Sequence, residues 1–132
     1  MVTDSGKVKI VDFGLSCMHE GSVEQKTYGT PTYMAPEMVS GEYQNSKIDV
    51  WAFGAILYFL ISGEKPFDAE TLPQLIEQIK QCKVSFDKEA FAHVSSACKD
   101  LIQKCLTKNP HSRCSIQEVL THEWFSEDRQ AS

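Results

Sequence analysis

Hydrophobic residues crowd one stretch of this chain more than any other. Ile48, Val50, Trp51, Phe53, Ile56, Leu57, Phe59, Leu60 and Ile61 fall on every face of the helix predicted from Ser46 to Ile61. A helix apolar all round has to be buried among other elements. Ser46 with Asp49 three residues later has the pattern of a capping box, which predicts the start. Ser62-Gly63, with Pro66 beyond, predicts the stop. Three later segments carry narrower apolar stripes. Thr71 and Gln74 open a helix whose Leu72, Leu75, Ile76 and Ile79 keep i, i+3, i+4, i+7 spacing. Cys98, Leu101, Ile102 and Cys105 repeat that spacing. Ser115 and Glu118 form a second capping-box pattern, ahead of Val119, Leu120 and Trp124-Phe125.

The period changes towards the N-terminus. Met1 to Thr3 and Lys7 to Val11 are short runs parted by Asp4-Ser5-Gly6, and Val8 and Ile10 alternate with polar residues. This pattern predicts a short β-hairpin ending at Asp12. From Leu15 to about Met34 there is only Gly, Ser, Thr and Pro punctuation, the mark of a long functional loop. No repeat, low-complexity tract or domain boundary interrupts the chain.

Composition narrows the function classes. With 42% hydrophobic residues in 132, one compact domain can have a real core. A net charge of -5 with scattered Lys and Arg argues against nucleic acid as a partner. The longest apolar run, near residues 50 to 61, falls short of the roughly 20 residues a membrane span needs, so it reads as a core helix. Five cysteines without a C-x-x-C pair predict reduced thiols and a cytoplasmic or nuclear location. His19, His93, His111 and His122 do not stand at ligand spacing with them, and His122-Glu123 lacks a second His. No Cys/His metal site is expected.

Three motifs then define the chemistry: Lys9-Ile10-Val11-Asp12-Phe13-Gly14-Leu15-Ser16, Gly29-Thr30-Pro31-Thr32-Tyr33-Met34-Ala35-Pro36-Glu37, and Asp49-Val50-Trp51-Ala52-Phe53-Gly54. In this order, with Arg113 and His122-Glu123-Trp124-Phe125 following, they resemble the C-terminal lobe of a eukaryotic Ser/Thr protein kinase over nearly the whole chain. The implied fold is a kinase-like C-lobe, mainly α with a short N-terminal β-hairpin and no N-lobe. It would fill residues 1–126 as a partial kinase domain, with a tail over 127–132.

The resemblance also implies roles. Asp12 matches the carboxylate that holds the Mg²⁺ ion bridging the phosphates of ATP, since a hard cation takes oxygen ligands. Phe13 would pack inward, and Gly14 would permit the backbone turn. Glu37 and Arg113 resemble the buried pair that ties the activation segment to the late helices, a bidentate geometry suited to offsetting desolvation. Asp49 resembles the acid that accepts backbone hydrogen bonds from the catalytic loop. Thr30 resembles the residue that contacts the catalytic Asp and positions a Ser or Thr acceptor. Lys26 stands where many relatives carry their activating phosphosite, leaving Ser22 and Thr27 as candidate phosphosites.

From Ser62-Gly63-Glu64-Lys65-Pro66-Phe67 to Lys108-Asn109-Pro110 the sequence is most similar to calcium/calmodulin-dependent and calcium-dependent protein kinases. Phe91 replaces their usual Trp, and Glu123 replaces the Pro of H-P-W. Phe59 stands where some basophilic kinases place an acid. Nothing after Phe125 resembles a calmodulin-binding helix or an EF-hand, so calcium or calmodulin control is not readable.

The family's glycine-rich loop, strand Lys, and catalytic-loop Asp and Asn have no match in the eleven residues before Asp12. The expectation is that a longer parent would transfer the ATP γ-phosphate to protein Ser or Thr, with these 132 residues alone inactive and binding Mg²⁺ and ATP poorly. Their partners would be a protein substrate or the missing N-lobe. A non-catalytic kinase-derived binding module and a nonfunctional gene remnant are the rival readings. Apolar groups near Phe13 and on the central helix should then stand uncovered.

Overall fold

The computed structural model describes residues 1–16, 31–42 and 45–126. Among these, the helices in chain order are α1 (Pro36–Val39), α2 (Lys47–Ser62), α3 (Leu72–Gln81), α4 (Ser96–Cys105) and α5 (Ile116–Leu120), with 3-10 turns at Phe13–Leu15, Pro31–Tyr33 and Glu89–Phe91. The molecule is mostly helical, as a kinase C-lobe would be.

The core forms where α2 lies against α4. Gly54 makes the approach close: a Cβ built there would stand 2.5 Å from Cys105 Cβ. Val50, Trp51, Ala55, Leu57 and Tyr58 of α2 meet Cys98, Leu101, Ile102 and Cys105 of α4 in one cluster, joined by Leu75 and Ile79 of α3 and Val119 of α5. Aromatic rings seal its flanks. Trp51 stacks on Phe67 with centroids 5.6 Å apart, and Phe91 lies 4.9 Å from Tyr58 and edge-on to Phe86. The Tyr58 hydroxyl donates to Ser85 O at 2.9 Å, so its polar end is satisfied. Trp51 Nε1 has no acceptor among the described residues, a desolvation cost that the stacking partly offsets.

Several sequence expectations need correction. The N-terminal hairpin is reduced to its tip: Thr3 N donates to Lys7 O at 2.8 Å and Lys9 N to Met1 O at 2.9 Å around one isolated antiparallel bridge between Val2 and Val8, and no strand occurs among the described residues. Met1, Val2, Val8, Ile10 and Val11 are all exposed, so the turn has no hydrophobic face to hold a ladder. A two-stranded hairpin by itself is marginal in water.

The start of α2 also differs. Ser46 has helical backbone angles and makes no side-chain cap. Asn45 does the capping instead, its Oδ1 accepting from Lys47 N at 2.9 Å. At the other end Gly63, at φ 72°, closes α2 through Gly63 N to Phe59 O, a left-handed position that favours glycine.

Burial of α2 is one-sided rather than complete. Ile56 and Phe59 are exposed, and Leu60 is 73% exposed. The main neighbours of α2 are α4 and the turns at Pro31–Tyr33 and Glu89–Phe91, and they leave this face open. Thr71 gives no side-chain cap to α3, and Leu72 at that end is exposed although it lies on the apolar stripe. The capping box at α5 is present, Ser115 and Glu118 satisfying each other's backbone N–H groups.

Gly54→Ala tests the α2–α4 contact. Ala gains about 1 kcal/mol of helix propensity, but overpacking a closed contact costs about 1–3 kcal/mol. A net loss of stability in urea unfolding is expected; a gain would show that the helices part freely.

Candidate functional site

The Asp12-Phe13-Gly14 triplet forms a tight 3-10 turn at the end of the exposed N-terminal segment. Its left-handed residue is Asp12, at φ 64°, rather than Gly14. The Asp12 carboxylate accepts weakly from Gly14 N at 3.4 Å. A Cβ at Gly14 would stand 3.3 Å from Asp12 Oδ1, a tight contact that the exposed carboxylate relieves by a small shift. Ser16 closes the turn from the other side, its Oγ donating to Phe13 O at 2.6 Å. Phe13 is 67% exposed, which corrects the inward packing implied by the resemblance but agrees with the expectation that apolar groups near it stand uncovered. The segment has no apolar partner among the described residues, so the Phe13 ring has no pocket there to enter.

The second motif behaves differently. Thr32, Met34, Ala35, Pro36 and Glu37 are buried, and Pro36 opens α1 where no backbone donor is required. That short helix carries Glu37 into the interior to meet Arg113. Arg113 Nη1 donates to Glu37 Oε1 at 2.7 Å and Nη2 to Oε2 at 2.9 Å. Both side chains are essentially excluded from solvent.

The remaining guanidinium hydrogens are also used. Nε donates to Thr107 O at 2.9 Å, Nη1 to Lys47 O at 2.9 Å and Nη2 to Lys108 O at 3.3 Å. All five donors of the planar fork are therefore satisfied. The guanidinium carbon stands 5.1 Å from the centroid of Trp51, within cation–π range. Lys47 completes the joint, its Nζ donating to Arg113 O at 2.7 Å. Sequence reasoning missed Lys47, because its partners are backbone carbonyls that leave no mark in a motif.

The other site residues are scattered. Asp49 lies exposed in the first turn of α2, where a negative charge favours the helix dipole. Thr30, Ser22 and Thr27 lie outside the described residues. A cavity of about 550 Å³ beside the buried pair is lined by Glu37, Glu42, Asn45, Lys80, Lys108 and His111 among others. A second, of about 380 Å³, is lined by Lys104, Cys114, Glu118 and His122 among others. Asp12 borders neither.

The fit to a magnesium–nucleotide group is poor. Asp12 offers one exposed carboxylate, and no cluster of three or more His, Cys, Asp or Glu able to hold a metal ion occurs among the described residues. Mg²⁺ favours octahedral oxygen coordination, usually with substrate phosphates held by other groups. These residues by themselves do not make that site.

His122 has a structural position instead. Its Nδ1 accepts from Trp124 N at 3.3 Å, which directs Nε2 to Asp100 Oδ2 at 2.9 Å. Lys104 reaches the same oxygen at 2.7 Å. Lys104 and then His122 hold the Asp100 carboxyl below its usual range. A lowered folded-state value gives stability that is present above the ordinary Asp pKa of about 3.9 and is lost as pH falls through the lowered value. Asp100→Asn should therefore be slightly less stable than the parent at neutral pH, the gap closing on acidification. A gap of the same size at both ends of a pH series of unfolding curves would contradict this linkage.

The family pattern of the protein kinase domain matches residues 1–125. The SNF1-related protein kinase catalytic subunit alpha KIN12 of Arabidopsis thaliana is 41% identical over 120 residues, 90% of this chain and 24% of that protein. Calcium-dependent protein kinase 11 of Arabidopsis thaliana is 41% identical over 129 residues, 97% of this chain and 26% of that protein. Serine/threonine protein kinase OSK3 of Oryza sativa subsp. indica is 41% identical over 120 residues, 89% of this chain and 23% of that protein. The chain thus spans about a quarter of the length of these curated relatives. It resembles the calcium-dependent group, and the SNF1-related group to a similar degree. With the pattern matched over nearly its whole length, the chain belongs to the protein kinase domain family.

Proposed function

We propose that these residues are the late C-lobe of a Ser/Thr protein kinase whose complete form transfers the γ-phosphate of ATP to protein Ser or Thr, and that the 132 residues alone do not. Residues 1–126 are the partial domain and 127–132 its tail. In the complete enzyme Asp12 binds Mg²⁺ and, through it, the nucleotide. Thr30 positions the acceptor hydroxyl, Phe13 and Gly14 shape the turn, and Asp49 braces the catalytic loop. Glu37 and Arg113 hold the activation segment on the helices, and Ser22 and Thr27 are the candidate phosphosites. The partners are a protein substrate and the N-lobe, with no part for nucleic acid or membrane. No described helix is long and apolar enough to cross a bilayer. Cys82, Cys105 and Cys114 are free thiols, which fits the cytoplasm or the nucleus.

One contrast carries this reading. The fold-holding pair is complete and buried, whereas Asp12 sits exposed on an unsupported turn with Phe13 uncovered. Phosphoryl transfer depends on positioning and charge stabilisation by several groups at once. A single free carboxylate supplies neither.

A kinase-derived binding module without catalysis is the second reading, favoured by the open α2 face of Ile56, Phe59 and Leu60. Exposed apolar faces commonly mark interaction sites.

The test compares two proteins with ATP, Mg²⁺ and a mixed Ser/Thr peptide library: the 132-residue chain, and any longer product of the same gene. The short chain is expected to transfer no phosphate above a buffer blank, and the longer one to transfer it in a manner abolished by Asp12→Asn. Phosphate transfer by the short chain, lost in Asp12→Asn, would overturn its proposed inactivity. A longer product that is inactive, or the absence of one beside a stable 132-residue species, would move the function to the binding module.

A further inference from the structure

Two thiols meet beneath the Arg113 joint. Cys105 ends α4 and Cys114 directly follows Arg113, and their Sγ atoms lie 3.8 Å apart. Neither is bonded to another sulfur. They differ in access. Cys105 is wholly buried against the backbone at Gly54. Cys114 is part of the wall of the 380 Å³ cavity that it shares with Lys104, Glu118 and His122. A small oxidant entering that cavity meets Cys114 first and finds Cys105 immediately behind it.

We propose that Cys105 and Cys114 are a peroxide-reactive pair, with Cys114 as the sulfur attacked first and Cys105 as the resolving thiol. The Cys114 thiolate attacks one oxygen of hydrogen peroxide, the O–O bond breaks, and sulfenic acid and one water result. Cys105 Sγ then attacks the Cys114 sulfur, displacing the hydroxyl, which leaves as a second water. The two thiols give up two protons and two electrons in all, and peroxide accepts them. The step needs the sulfurs to close to about 2 Å, a short movement from van der Waals contact.

The electrostatics assign the same order. Burial pushes both thiols up, but the contact between them acts in opposite directions. It holds the Cys105 proton in place and favours loss of the Cys114 proton. Of the charged groups on the cavity wall, Glu118 opposes the Cys114 thiolate and Lys104 favours it less strongly, so the contact with Cys105 is what separates the two thiols. Because burial still dominates, the reaction is slow compared with that of an exposed low-pKa thiol. It answers sustained oxidant rather than brief pulses. The resulting cross-link spans the turn that supplies Thr107 O and Lys108 O to Arg113, so the modification falls on the joint that holds the activation segment. This inference does not depend on whether the chain phosphorylates anything.

Tryptic cleavage separates the two sulfurs, placing Cys105 in the fragment Cys105–Lys108 and Cys114 in Cys114–Arg129. The purified chain is treated with hydrogen peroxide, unfolded with N-ethylmaleimide to block the remaining thiols, digested and analysed by mass spectrometry. The expected product is the two fragments joined, less two hydrogens, with alkylation of Cys105 and Cys114 falling in parallel. Cys105→Ser should stop the sequence at a Cys114 sulfenic acid that dimedone traps. Cys114→Ser should leave Cys105 open to alkylation. The proposal is overturned if Cys114 proceeds to sulfinic acid in the unmodified chain without the joined fragments. It is also overturned if both thiols stay alkylatable at a dose that oxidises other cysteines, or if either sulfur pairs with a different cysteine.

Discussion

Arg113 is held by five hydrogen bonds, and the positions of α1, α2 and the turn after α4 all meet at its guanidinium. A buried cation without partners would cost several kcal/mol even after relaxation. Here Glu37 supplies the opposite charge in bidentate form, and carbonyls of Lys47, Thr107 and Lys108 take the hydrogens that remain. Satisfying every donor turns a costly burial into a geometric constraint. The segment ending in Ala35-Pro36-Glu37 can sit in one place only, because the fork accepts one orientation of the carboxylate.

The hydrophobic core explains why that constraint is placed there. The α2–α4 contact at Gly54 sets the middle of α2 against the end of α4, and Trp51 presents its ring to the guanidinium. The polar joint therefore lies over the aromatic flank of the core rather than replacing part of it. Residues 1–14 have no comparable anchor. Their large apolar side chains are exposed, and hydrogen bonds within the turn are what organise them. The chain is thus uneven: a locked helical body, and a motif-bearing arm whose carboxylate has little around it.

Much of this was legible in the sequence, for identifiable reasons. The stripes of α3 and α4 predicted their buried faces because amphipathic periodicity depends on local spacing. The Ser115–Glu118 box and the Gly63 stop were readable because a cap is satisfied within one turn of chain. Partners fixed by tertiary contact were not. Asn45 took over the cap assigned to Ser46 once Ser46 became helical, a competition between adjacent residues that pattern does not resolve. All-round hydrophobicity implied full burial of α2, whereas Ile56, Phe59 and Leu60 find no cover among the described residues, as the expectation of uncovered apolar groups on the central helix had it. The strands of the hairpin did not extend beyond its hydrogen-bonded turn, since alternation predicts a strand only where a face exists to receive it. The link from His122 to Asp100 and Lys104 was invisible because it is a tertiary contact: His122 stands in a motif and Asp100 and Lys104 are an i, i+4 pair on α4, but nothing in the pattern joins the two.

The central claim is that Glu37 and Arg113 act as one unit in holding the fold. A double-mutant cycle with Glu37→Gln, Arg113→Met and both together, followed by urea unfolding, measures this directly. Each single change should cost about 3–5 kcal/mol, the range for breaking a buried pair. The double change should cost less than the sum, by about 2–3 kcal/mol of coupling. Costs that simply add, with coupling below about 0.5 kcal/mol, would mean the two side chains are neighbours and nothing more.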